Sequence, residues 1–387
     1  MLKSILRLPA AVWLLGLVSL FNDSASELLY PLVPLYLASV LMAGPQALGI
    51  IEGIAEAVGG LLKLFSGVLA DKTASTKGWV VGGYSLAALA RPLLAFASSW
   101  PMVLALRFAD RVGKGLRTAP RDTLLALSVT PQQRGLAFGL HRAMDNAGAV
   151  IGPLVAAGLL AFNVPLADIF LWTAVPGVIA VSLAAGIREP QRVGQPVLRV
   201  AFSWSLQGFP TAFKRYLLVL ALFTLGNSSN MFLLLRAKEL GLPNYQVPLL
   251  WAFVSATAML FSTPLSALSD RIGRQQLILG GWTLYGLFYL LLSLNGGPAW
   301  LLWPLFAGYG LFMAATEGTE KALVADLAPT TLLGTAYGWF NLTTGIMLLP
   351  ASLLFGWLWQ TFSPAPAFGF SAGCALTAAL LLHYWVS

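Results

Sequence analysis

Charge is scarce in this sequence. Only 10% of the 387 residues are Asp, Glu, Lys or Arg, while 58% are hydrophobic. A soluble domain carries roughly 25% charged residues, so a chain this poor in charge cannot coat a water-facing surface. That excludes a soluble enzyme, a disordered chain and a fibrous repeat. Cysteine is almost missing: Cys374 stands alone, and no internal disulfide can form. The two histidines, His141 and His383, lie far apart. With one cysteine beside them they make no metal-ligand cluster, and no metal or other cofactor is expected. His-Glu-x-x-His, Gly-x-Ser-x-Gly, Gly-x-Gly-Asp and the nucleotide-binding Gly-x4-Gly-Lys-Ser/Thr pattern are all absent. The chain is therefore read as no enzyme and as independent of nucleotide hydrolysis.

Apolar length is what the sequence has. A membrane-crossing helix takes about 20 apolar residues, so at roughly 32 residues per helix and loop the chain accommodates about twelve. Hydropathy places the spans near 10–40, 46–70, 78–98, 101–127, 134–161, 166–187, 216–237, 246–268, 275–295, 299–327, 333–361 and 366–386. Residues 188–215, with Pro190, Pro196, Pro210 and several cations, are the one long polar interruption. The expected architecture is an all-α integral membrane fold. A six-helix bundle over 1–187 and another over 216–387 flank a cytoplasmic linker over 188–215.

The net charge is +8. Leaving out the outermost three residues at each end of a span, nine bases and nine acids fall inside the spans, so the whole excess sits at the ends and in the loops. It is a topology signal, with no nucleic acid needed to explain it. Lys3 and Arg7 precede the first run, and Arg188, Arg192, Arg199, Lys214 and Arg215 follow the sixth. The turns at Gly44-Pro45, Ser98-Ser99, Asn163-Val164 and Gly296-Gly297 carry no cation, and only Arg236 and Lys238 break the pattern. The positive-inside rule then puts both termini in the cytoplasm of a multi-pass protein of the cell membrane. The first run, with Asn22 and Asp23 at mid-span, is too long and too polar for a cleaved signal peptide.

An internal repeat marks the two halves. Gly135-Leu-Ala-Phe-Gly139 recurs 199 residues later as Gly334-Thr-Ala-Tyr-Gly338, and Gly67-Val-Leu-Ala-Asp71-Lys72 recurs at the same offset as Ser266-Ala-Leu-Ser-Asp270-Arg271. Duplicated six-helix halves are a transporter design, with the site near mid-membrane.

At these residues the chain resembles the major facilitator superfamily, over nearly its whole length. Gly67-Val-Leu-Ala-Asp71-Lys72 is similar to the family's loop between its second and third helices. The second copy continues Asp270-Arg271-Ile-Gly273-Arg274. The resemblance implies a gating role for Gly67, Asp71, Lys72, Asp270, Arg271 and Arg274. Gly139, then Gly148, then Gly152-Pro153 is similar to the fifth-helix signature of the family's exporters. Arg111-Val-Gly-Lys114-Gly115-Leu-Arg117 resembles the fourth-helix motif whose arginine is linked to proton transfer. Tyr30-Pro31-Leu-Val-Pro34 resembles a first-helix motif of drug:proton antiporters. Together these imply the major facilitator fold and the efflux branch.

The embedded charges are the candidate machinery. A charge at mid-bilayer is costly, so each must face protein or water and find a partner. Asp23, Glu27 and Tyr30 share one face of the first span, beside Asn22. They form either a proton and substrate site or a fixed salt bridge to the fourth span. Glu56 in the second span, Asp145 in the fifth and Glu317 in the tenth are further proton-coupling candidates. In the fourth span Asp110, Lys114, Arg117 and Arg121 make one stripe, with Arg111 adjoining. Arg111, Lys114, Arg117, His141 and Arg142 are read as buried ion-pair or anion-binding groups, His141 being either a relay with Asp145 or a histidine simply satisfied by it. Asn22, Tyr30, Asn227, Asn230, Glu320, Trp339 and Asn341 are expected to line the substrate cavity.

The function expected is a monomeric secondary transporter in the lipid bilayer. It exports a small organic solute, drug-like, amphiphilic or zwitterionic, by proton-coupled alternating access. The alternative is a proton symporter or uniporter for an anionic metabolite or siderophore-like compound.

Overall fold

A computed structural model describes residues 8–72, 76–129, 134–188, 205–294, 298–329 and 332–386, and all regular structure among them is helical. In chain order the helices are α1 (Ala10–Leu29), α2 (Leu32–Ser39), α3 (Pro45–Lys72), α4 (Lys77–Leu93), α5 (Trp100–Leu127), α6 (Arg134–Ala161), α7 (Leu166–Trp172), α8 (Ala174–Gly186), α9 (Thr211–Gly226), α10 (Met231–Glu239), α11 (Gln246–Ile272), α12 (Arg274–Leu294), α13 (Leu302–Leu327), α14 (Leu333–Thr361) and α15 (Pro364–Trp385). Nine helical stretches among the described residues are long and apolar enough to cross a membrane. The long helices α3, α5 and α11 stand outside that number. Seven charged residues interrupt α5 between Arg107 and Asp122.

Three expected spans are broken. The first bends at Tyr30-Pro31, where Pro31 has no N–H to continue the ladder. The sixth divides at Thr173, and the seventh opens between Gly226 and Met231. Discontinuous helices leave free backbone groups at membrane depth, which the protein must satisfy from neighbouring side chains.

The chain forms two compact units: Met1–Tyr36 with Val58–Ala201, and Leu37–Ala57 with Phe202–Ser387. In the first, α1 packs chiefly on α6 and α8, and α4 on α5 and α8. Its apolar core holds Val12, Leu15, Val18, Val80, Tyr84, Leu124 and Leu125. In the second, α12 packs on α13 and α15, and α11 on α13. Its core is aromatic: Phe223 stacks on Trp282 with centroids 4.3 Å apart, and Tyr285 on Tyr289 at 4.2 Å.

The contact between α1 and α6 depends on absent side chains. A Cβ added at Gly148 would lie 2.5 Å from the Leu20 carbonyl oxygen and 3.1 Å from the Asp23 Cβ; one at Gly152 would lie 2.5 Å from the Ser24 carbonyl oxygen and 2.6 Å from the Leu28 nitrogen. In a membrane, close backbone approach through small residues is a main source of helix association. These two glycines of the exporter-like signature thus bring α6 onto the acidic face of α1. Gly152→Leu is expected to force the helices apart, costing about 1–3 kcal/mol or more and lowering the thermal-denaturation midpoint in detergent. Gly158→Ala, which meets nothing within 4 Å, is the neutral control.

Candidate functional site

The first unit contains a chain of buried polar groups crossing four helices. Arg91, from α4, is 2% exposed. Its Nε donates to Asp110 Oδ1 at 2.9 Å, and its Nη1 donates to both the main-chain oxygen of Asn22 at 2.9 Å and Asn22 Oδ1 at 3.0 Å. Arg107 Nη1 lies 3.7 Å from the second Asp110 oxygen. The amide continues the line, as Asn22 Nδ2 donates to Asp23 Oδ1 at 2.8 Å. On the far side, α6 brings Asp145 to the same face of α1, where Gly148 meets the Asp23 side chain and the two carboxyl groups stand close enough to act on each other. Asp145 also accepts from Ser19 Oγ at 2.6 Å and from Arg142 Nη1 at 3.2 Å.

A hydrogen bond between two carboxyl groups needs a proton between them, because an ionised carboxylate only accepts. The donors around the two carboxyl groups differ. Asp145 is served by a hydroxyl and a guanidinium, as a carboxylate requires, whereas Asp23 receives one amide N–H.

The rest of the first-unit candidates surround this pair. Lys114 and Arg117 stand close enough to act on Asp23, and Arg121 on Asp145. The Arg117 guanidinium lies 4.3 Å from the Tyr84 ring centroid, and its Nη1 is buried without a hydrogen-bond partner among the described residues. His141 Nε2 is likewise buried and unpartnered among them. Arg121 grips Asp122 through two nitrogens at 2.9 and 3.0 Å, a local ion pair. Glu27, Tyr30, Arg111 and Lys114 all have partners of their own. An apolar cavity of about 500 Å³ between α4 and α5, lined by Gly78, Trp79, Gly82, Gly83 and Leu116, includes none of the predicted site residues.

In the second unit the polar groups gather at the break between α9 and α10. Tyr285 donates to the freed Gly226 carbonyl at 2.9 Å, Ser229 N–H donates to Ser352 Oγ at 3.3 Å, and Ser229 Oγ donates to the fully buried Glu52 at 3.2 Å. The Tyr309 hydroxyl donates to Asn230 Oδ1. Asn227 caps the end of α9 and Asn230 the start of α10. Glu320 accepts from the Trp282 indole at 2.9 Å. Glu317 and Asn341 are exposed, while Glu56 is half-buried and, like Glu317 and Trp339, engaged by a neighbour.

Of the gating candidates, Arg274 opens α12 and reaches Asp326 at 3.0 Å and the Ala322 carbonyl at 2.5 Å, tying α12 to the end of α13. Gly273 before it has φ +98°, which a residue with a side chain adopts only under strain. Arg271 is exposed. Pro153 lies inside α6. The helical backbone aside, Gly67, Asp71, Lys72, Gly139 and Asp270 fall outside the described residues.

The comparisons with known proteins agree with this architecture. The Major Facilitator Superfamily profile matches residues 12–235 and 216–387. The chain belongs to the major facilitator superfamily. The MFS-type transporter MJ1317 of Methanocaldococcus jannaschii is 32% identical over 385 residues, covering 98% of this chain and 95% of that one. The multidrug resistance protein MdtH of Photorhabdus laumondii is 31% identical over 135 residues, 35% of this chain and 33% of its own. Among solved structures, the nucleoside transporter NupG superposes with a TM-score of 0.77 at 14% identity, over 97% of this chain and 98% of that one. The protein is thus a multi-pass membrane transporter of the superfamily, and not an enzyme.

Two residues at the centre of this site are not among the predicted ones. Arg91 is the only charged residue in its span, so its partner had to come from another helix. Asp110 shares a helix face with Lys114 and Arg117, yet its closest partner is on α4. Removing one member of a buried pair strands the other, at a cost of about 3–5 kcal/mol. Arg91→Ala should therefore sharply lower the denaturation midpoint of the purified protein, and Arg91→Leu combined with Asp110→Leu should recover part of the loss.

Proposed function

We propose that this superfamily member is a secondary active transporter that exports a small organic solute in exchange for protons, by alternating access. The observation that carries the reading is the placement of Asp23 and Asp145 across the α1–α6 contact, where Ser19 of α1 donates to Asp145 and Gly148 of α6 meets the Asp23 side chain. Two acids sharing one proton at membrane depth form a group that can release it when the pair is separated or approached by a cation, and Lys114, Arg117 and Arg121 stand beside it. Proton movement that changes which charges are paired is the chemistry that coupling requires.

Export is supported by the glycine signature of α6, which holds this pair together, and by the partial likeness to a multidrug resistance protein. An amphiphilic or zwitterionic cargo is supported by the unequal repeats. At an offset of 199 residues, Arg107, Asp110 and Arg117 in the first half correspond to Phe306, Tyr309 and Thr316 in the second. One half offers ions where the other offers rings and hydroxyls. The lysine and arginine asymmetry supports both termini in the cytoplasm, and the transporter acts as a monomer in the cell membrane.

Everted membrane vesicles, acidified inside by respiration and monitored with a quenched acridine dye, test the reading. Adding the lipophilic cation ethidium or members of a drug panel is expected to restore fluorescence as protons leave in exchange. Asp23→Asn and Asp145→Asn should each abolish the response, while the protein remains in the membrane. A deeper quench on adding an anionic solute would instead establish proton symport, the reading that the unpartnered Arg117 nitrogen favours.

A further inference from the structure

We propose that Arg91 is a positioning residue for the Asp23–Asp145 pair, acting through the side-chain amide of Asn22. The inference rests on the proton-coupling reading and deepens it, giving a role to a residue that touches neither carboxyl group. A primary amide has an accepting end and a donating end. One nitrogen of Arg91 reaches two oxygens of Asn22, the main-chain oxygen at 2.9 Å and Oδ1 at 3.0 Å. The accepting end of the amide is thereby fixed toward α4. Its donating end must face the other way, where Nδ2 meets Asp23 Oδ1 at 2.8 Å. Turning the amide over would set donor against donor at Arg91 and acceptor against acceptor at Asp23.

The guanidinium is itself held. Asp110 accepts from its Nε at 2.9 Å, with Arg107 beyond, so its plane cannot swing away from Asn22. One Asp23 oxygen is then committed to the amide, which leaves the other for the proton shared with Asp145. The charged and titratable groups facing the pair are Lys114 and Arg117 of α5 toward Asp23, and Arg121 of α5 with His141 and Arg142 of α6 toward Asp145, to which Ser19 of α1 also donates. Replacing Asn22 leaves those groups in place, and Arg91→Lys keeps the positive charge that Arg117 and Asp110 face. A lysine at 91 would retain the charge opposite Asp110 but has no planar fork with which to orient an amide.

Infrared titration of the purified protein in lipid tests this without a transported solute. The wild type should show a protonated-carboxyl C=O band that titrates with pH and is missing in Asp23→Asn. In Arg91→Lys and in Asn22→Ala its midpoint should rise by about half to one pH unit, the worth of one hydrogen bond to the ionised form. The double variant should shift no further than either single one, because both act through one contact. Independent shifts that add, or an unmoved midpoint in both single variants, would overturn the positioning role. Absence of the band in the wild type, or its survival in Asp23→Asn, would overturn the proton-sharing reading beneath it. Should Arg91→Lys fail to fold, Asn22→Ala carries the test alone.

Discussion

The structure of the first unit turns on one constraint: an ionised group in hydrocarbon must have a partner, and each partner creates the same need in turn. Arg91 needs Asp110, Asp110 draws in Arg107, and Arg91 still has a nitrogen to satisfy, which it spends on Asn22. The amide passes the requirement to Asp23, and the line ends at Asp145 with Ser19 and Arg142. Each earlier link on this path pairs a donor with an acceptor, and the meeting of two acids at its end is the one that a proton would complete.

Packing makes the join possible. α6 approaches α1 through Gly148 and Gly152, whose missing side chains let backbone meet backbone within one turn of Asp23 and Glu27. The sequence motif that looks like a signature of exporters is, in physical terms, a groove that sets two carboxyl groups side by side. In the second unit the position that corresponds to Asp110 is satisfied without charge, and one buried carboxyl, Glu52, serves the broken helix. Tyr309, 199 residues on from Asp110, donates to Asn230, and the broken helix is satisfied by Tyr285, Ser352 and the Ser229–Glu52 hydrogen bond. The two halves keep one architecture and divide the polar labour unequally.

Much of this is readable from the residues. The lack of charge and the apolar runs reveal a membrane protein; the 199-residue offset points to a repeat, and the acidic face of Asp23 and Glu27, beside Asn22, points to the first span for the candidate site. The connections are not readable. Helical periodicity tells which residues share a face but not which helix that face meets, so Asp110 reads as a companion of Lys114 and Arg117 when its partner is Arg91. Glu52 falls in line with Glu56 and Lys63 on its own helix, yet it serves Ser229 in a break that hydropathy cannot see. Asn and Ser at a helix end leave an apolar window nearly unchanged. Arg274, a loop residue by resemblance, ties the start of α12 to Asp326.

The central claim is that one proton belongs to the Asp23–Asp145 pair in the resting protein. Counting protons is its most direct test. Potentiometric titration of the purified wild type against Asp23→Asn, between about pH 5 and 9 where a coupling group must work, should differ by one proton per chain. A difference of zero across that range would mean that Asp23 does not change its protonation there, a fixed group and not a carrier, and would contradict the account.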